Sequence, residues 1–291
     1  MTQDIAEDTA PVTPKRSRFR AVFSKDRKAQ FGIIILALFT IGAVFAPLIA
    51  PYDPNEMTLN MMGNPSMDNV LGTDDLGRDL FSRILYGTQI SLFVGVSTVA
   101  ISLFFGVLLG VVAGYYGGWI DAIIMRYIDL QWAFPNFIIA VYLVAVFGTG
   151  LLNVIVAIAL AFLDDFARIA RSMVLTLKEE QFVDAARVMG FSDLRIMIQH
   201  ILPNAMAPII VQATVSVSYA ILGEASLSFL GLGVDANTPT WGLILADGRS
   251  FISSAWWLGL YPGLAIMLVV LSINFIGDAL RDALDVREAD L

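Results

Sequence analysis

The chain has 291 residues, 57% apolar and only 15% charged, with a mean hydropathy of +0.73. Ordinary soluble domains carry about 25% charged residues, so the balance points to an integral membrane protein and away from a soluble enzyme. The net charge of −8 is segregated by segment and says little about partners, the lack of cysteine excludes disulfides and thiolate chemistry, and the lone His200 excludes a multi-histidine metal site.

Residues 1–30 are polar, and the first apolar run continues to spanning length, so no cleavable signal peptide is expected. A helix needs about 20 apolar residues to cross a bilayer. Phe31 to Ala50 supplies such a stretch without a charge. Ile84 to Ile120 is uncharged, and so is Leu130 to Leu163, which Gly148-Thr149-Gly150 interrupts. Ile201 to Gly223 and Ser250 to Gly277 are uncharged as well. The reading is all-α, with spans at 31–50, 88–114, 121–147, 151–171, 205–223 and 257–277. Pro135 should kink the third of these, which also carries Asp121, Arg126 and Asp129. Arg126 and Asp129 suit a local ion pair or snorkelling to the interface. Gly106, Gly110 and Gly114 form a ridge for close packing, inside the subunit or against another one. Trp256 and Trp257 stand where an interfacial anchor belongs.

Orientation follows the Lys and Arg of the loops. Lys15, Arg16, Arg18, Arg20, Lys25, Arg27 and Lys28 crowd the N-terminal tail. Arg168, Arg171, Lys178, Arg187 and Arg195 fall in the loop 164–203, and Arg281 and Arg287 near the end. The intervening segments 51–87 and 224–256 hold only Arg78, Arg83 and Arg249. Both termini (1–30 and 281–291) and the loop 172–204 are therefore expected in the cytoplasm. A core of five spans occupies 88–280.

Within that loop, Glu180 to Asn204 is a polar island with helix-forming character. Phe182, Val183, Ala186 and Met189 fall on one apolar stripe, with Glu180, Asp184 and Arg187 beside it. Gly190 reads as a helix stop, Ser192 as the next N-cap, and Leu194, Met197, Ile198 and Ile201 as a second stripe. Pro203 is expected to turn the chain into the fifth span. The island suits either a docking surface or a hairpin lying on the membrane.

These residues resemble the Glu-Ala-Ala loop of ATP-binding-cassette (ABC) importer permeases, as Asp184-Ala185-Ala186, Gly190 and Ile201-Leu202-Pro203. Gly72-Thr73-Asp74-Asp75-Leu76-Gly77-Arg78-Asp79, Ala113-Gly114-Tyr115-Tyr116-Gly117-Gly118 and Ala225 to Gly233 followed by Thr240-Trp241-Gly242 narrow the resemblance. It becomes that of the dipeptide, oligopeptide and nickel group, second-subunit type, over about residues 25–288. The group's usual Glu is Asp184 here, one methylene shorter, and Asp164 and Asp165 replace an aromatic or Pro.

The resemblance implies a type I importer permease with a cytoplasmic coupling loop. It implies pairing with a similar permease subunit, two ATP-binding subunits and an extracytoplasmic solute-binding protein, in the bacterial inner membrane. Glu180, Phe182, Asp184, Ala185, Ala186, Arg187, Gly190, Arg195 and Pro203 would carry the coupling. The four lysines follow Pro14, Ser24, Arg27 and Leu177, so the Gly-Lys of a P-loop does not occur. ATP and Mg2+ would thus be bound by the partners, with no cofactor, metal or nucleic acid on this chain. Peptides are the favoured substrate; nickel chelates, glutathione or opines are alternatives. An ion-coupled secondary transporter would want midplane ionisable groups and inverted repeats.

Overall fold

A computed structural model describes residues 23–284. The basic tail up to residue 22 and the end from residue 285, with Arg287, lie outside the described residues. The helices run in chain order as α1 Arg27–Val44, α2 Ala46–Ile49, α3 Leu80–Tyr116, α4 Gly118–Trp132, α5 Asn136–Phe147 and α6 Leu151–Ala161. There follow α7 Leu163–Leu177, α8 Gln181–Val188, α9 Asp193–Arg195, α10 Leu202–Phe229, α11 Trp241–Gly248 and α12 Trp257–Leu284.

The expected count of six spans is not met exactly. Among the described residues, four helical stretches are long and apolar enough to cross a bilayer: α1, α3, the run Asp193–Phe229 that ends in α10, and α12. The bent pair α4 and α5 makes a fifth if it is counted as one broken span. Its two halves meet at 91°, so 121–147 is no single helix. The reason is local: Pro135 has no N–H, and its ring disfavours helical geometry at Phe134. The expected span 151–171 divides at Phe162 into α6 and α7. Asp164, Asp165, Arg168 and Arg171 make α7 too polar to count as apolar. Other spans run longer than the charge-free windows, because polar residues extend a helix beyond the hydrocarbon. At 37 residues, α3 is about 55 Å long, well over the roughly 30 Å apolar core.

The glycine ridge packs inside the subunit, where α3 lies along α7. A Cβ on Gly106 would stand 2.7 Å from the Leu163 carbonyl, one on Gly110 would strike the Ala167 carbonyl, and one on Gly114 would meet Val174 at 2.9 Å. Arg171 and Arg168 cross from α7 to α4, binding Asp121 at 2.5 Å and Asp129 at 2.9 Å. The expected Arg126–Asp129 pair is therefore replaced by a pair between helices.

At the other end the segment 50–79 folds back over α11 and α12. Trp257 is buried and donates Nε1–H to the Thr73 carbonyl at 3.1 Å, so it is a structural pin and not an interfacial anchor; Trp256 stays exposed. Beneath it lies a buried ionic cluster. Arg78 binds Asp74 at 2.6 Å and Asp247 at 3.1 Å, while Arg83 reaches both carboxylates at 3.4 Å. The Thr73–Asp79 motif is thereby tied to α11.

Candidate coupling surface

The loop 178–204 sits at the end of the bundle opposite that cluster. Glu180 precedes α8 with extended backbone (φ −76°, ψ 145°). Val183 and Ala186 are fully buried against the chain's own Ile196, Met197, Ile201 and Ala205. Ala186, expected among the coupling residues, thus seats α8 on its own bundle and does not face outward. Phe182, Asp184, Ala185, Arg187 and Met189 face outward. Asp184 and Arg187 pair at 2.9 Å on that open face.

Gly190 stops α8 as expected. Its φ is +78° with open space where a Cβ would be, so the constraint is the backbone angle, not crowding. Gly190 N–H donates to Arg187 and Phe191 N–H to Ala186, the double bond of a Schellman cap. Ser192 takes the N-cap position before α9, but its side chain makes no capping bond.

A turn of π-helix, Ile196–Ile201, joins α9 to α10, with Leu202 N–H donating to Met197. Pro203 does not break the chain here. It sits in the first turn of α10, inside the continuous run Asp193–Phe229. Pro203 has no N–H and would clash with the carbonyl four residues back, and the wide turn before it relieves that conflict. It also moves the buried set to Ile196, Met197 and Ile201, leaving Leu194 and Ile198 of the expected stripe exposed.

Several members of the site are invisible to periodicity. The Phe191 ring stacks on His200 with centroids 5.6 Å apart and carries the Arg195 guanidinium at 4.0 Å. Arg195 also donates to Gln199 at 2.9 Å, so it braces the elbow. Tyr115 Oη–H donates to Asp193 at 2.8 Å, and Lys178 Nζ to the Gly114 carbonyl at 2.9 Å. These bonds tie the loop to the end of α3. The Tyr-Tyr-Gly-Gly motif was their only signal in the sequence. Val188, 89% exposed, extends the open apolar face with Phe182, Met189 and Leu194.

The result is a short amphipathic helix seated on the bundle by two small residues. Its outer face mixes apolar and charged groups. Its elbow continues directly into a membrane-length helix. A rigid arm of this kind can carry force from a partner into the membrane.

Comparison with known proteins gives the family. Residues 106–289 match the family described as binding-protein-dependent transport system inner membrane component. Residues 16–68 match the N-terminal transmembrane domain of oligopeptide transport permease C. The dipeptide transport system permease protein DppC of Alkalihalophilus pseudofirmus is 48% identical, over 94% of this chain and 90% of its own. The di/tripeptide permease DppC of Pseudomonas aeruginosa is 44% identical over 96% and 95%. The glutathione permease GsiD of Escherichia coli is 44% identical over 90% and 88%. Among solved structures, an inward-facing MetNI methionine ABC transporter matches with a TM-score of 0.57 at 19% identity, over 71% of this chain and 98% of that one. That likeness establishes the ABC-importer permease fold. The chain belongs to the family of inner membrane components of binding-protein-dependent transport systems.

Proposed function

We propose that this chain is one half of the translocation pathway of an ATP-driven importer of di- and oligopeptides. The observation that carries this reading is 48% identity across 94% of the chain to a dipeptide permease. In this reading a similar but distinct permease subunit forms the other half. Two ATP-binding subunits, which bind ATP and Mg2+, dock on the outer face of α8. Phe182 and Met189 enter the partner's groove, Asp184 and Arg187 make the charged contacts, and Gly190 holds the angle. A binding protein delivers substrate to segments 51–87 and 224–256, so both termini lie in the cytoplasm. Closure of the ATPase pair moves α8, and the run Asp193–Phe229 carries the motion into the membrane. Such a coupling only has to bias two states separated by a few kcal/mol.

The test is uptake into proteoliposomes holding the whole complex and its binding protein. Labelled dipeptide should enter with ATP and Mg2+ and stay out with a non-hydrolysable analogue. Uptake driven by an ion gradient without ATP would overturn the reading. The identity to a glutathione permease favours one second reading. Uptake of glutathione in preference to unmodified dipeptides would select it.

A further inference from the structure

Helix surface that faces lipid is apolar, because a polar group without a partner is costly in hydrocarbon. One exposed face of the bundle departs from this. On α10, Tyr219, Leu222 and Ser226 recur three and four residues apart and share a face. They border a cavity of about 300 Å3 whose other wall includes Asn136 and Phe137 of α5 and Phe162 at the break between α6 and α7. Among the described residues, neither the Tyr219 hydroxyl nor the Asn136 amide makes a hydrogen bond within the chain. Ser226 returns its hydroxyl proton to the Leu222 carbonyl at 2.7 Å.

The backbone supplies a second, independent observation. The 91° break between α4 and α5 leaves Ala133, Phe134 and Pro135 outside any helix and exposed, next to Asn136. Non-helical backbone at membrane depth is tolerated only inside protein or along a water-filled cavity. A neighbouring cavity on the same hairpin makes the contrast. Leu143, Phe147, Leu152, Val156 and Leu160 line it, and its one amide, Asn153, is spent on the Phe147 and Gly148 carbonyls at 3.1 and 3.2 Å. That second surface suits lipid.

We infer that the wall of Asn136, Phe137, Phe162, Tyr219, Leu222 and Ser226 is this subunit's substrate-facing surface, and that it receives the side chains of the passing peptide. This rests on the peptide reading above. The lining carries no charge, so it does not sort side chains by charge. Its rings offer apolar area to aromatic and aliphatic side chains, while the Asn136 amide and the Tyr219 hydroxyl can bond a peptide group in transit. The wall limits size instead. It also lies on the helix that the coupling loop moves, so rotation of α10 would present or withdraw it.

The test uses the reconstituted complex with its binding protein. Leu222→Trp fills the cavity and should lower Phe-Phe uptake relative to Gly-Gly by about tenfold. Val156→Trp, in the lipid-like cavity, should leave the ratio unchanged. In this cysteine-free chain, Ser226→Cys should react with a water-soluble methanethiosulfonate, and a transported dipeptide should slow the reaction. An unchanged ratio in Leu222→Trp overturns the inference, and so does labelling of Ser226→Cys by lipid-soluble reagents alone. Crosslinking of Ser226→Cys, by a copper-phenanthroline oxidant, to a cysteine introduced in the second permease subunit, without substrate protection, overturns it too by making this a subunit interface. If the unmodified complex imports no peptide, the peptide reading itself fails, separately from these outcomes.

Discussion

At the scale of single residues, the fold depends on two kinds of position that tolerate almost nothing else. Gly110 lies against the α7 backbone, so its neighbour cannot move aside as a flexible side chain would. Gly110→Leu should cost at least about 1–3 kcal/mol by overpacking, read as loss of the monodisperse complex in detergent and a lower unfolding temperature. Arg83 is the other kind. It is 1% exposed and lies between Asp74 and Asp247. Arg83→Ala leaves Asp74 and Asp247 to share Arg78 alone, so one buried negative charge loses its counter-charge, a change that typically costs about 3–5 kcal/mol. Burial pushes the Asp247 carboxyl above the usual carboxylate range, and Arg83 and Arg78 pull it back. Removing Arg83 leaves burial less opposed. A carboxyl whose folded-state pKa is raised stabilises the fold when protonated and loses that contribution as pH rises. Arg83→Ala should therefore melt closer to wild type at acidic pH than at alkaline pH, and an equal gap at both ends would sink this account.

At the scale of elements, what could be read depended on whether the cause was local. Gly190 announced its stop because a Schellman cap needs one residue at positive φ, and glycine accepts that angle without strain. Pro135 announced a kink, but not a 91° break, whose angle depends on how α5 packs on α6. The second stripe of the coupling loop was misplaced because the π turn at Ile196–Ile201 adds a residue to the helical period. No periodicity of 3.6 reports that. Ala186 looked like a contact residue within its motif, yet its small side chain serves the bundle beneath. The site's outer half, Glu180, Phe182, Asp184 and Arg187, was legible because those groups are exposed and polar or isolated. Its bracing by Tyr115, Asp193 and the Phe191–His200 stack was not, since those contacts join distant parts of the chain. The coupling arm is testable as an element. A β-branched residue at the Gly190 angle is strained by about 1–2 kcal/mol, so Gly190→Val should bend α8 off its seat. Asp184→Arg replaces the ion pair by repulsion. Both should lower substrate-stimulated ATPase activity and uptake together in the reconstituted complex, and normal values in both variants would remove the lever.

At the scale of the whole molecule, the two ends of the bundle differ in charge, and the proposed orientation rests on that difference. Among the described residues, the coupling end gathers Arg168, Arg171, Lys178, Arg187 and Arg195. At the opposite end, Arg78 and Arg83 are consumed in a buried cluster. The surface there carries Asp53, Glu56 and Asp68 beside exposed Met57, Leu59 and Met67, with Arg249 as its exposed cation. A basic end is retained in the cytoplasm, whereas acidic residues weigh little in orientation. The net charge of −8 is therefore compatible with the proposed positive-inside arrangement. In the proposed reading such an arrangement would put the ATPase partners under α8 and the binding protein over 51–79, and the two placements stand or fall together. The absence of native cysteine makes the check direct. Met67 is 99% exposed at one end and Val188 89% exposed at the other. In intact spheroplasts, Met67→Cys should react with an impermeant maleimide added outside. Val188→Cys should react only in inverted vesicles or after lysis, and less once the ATPase subunits are bound, because it lies on their docking face. The reverse pattern would invert the topology, placing the coupling loop outside, beyond the reach of any cytoplasmic ATPase.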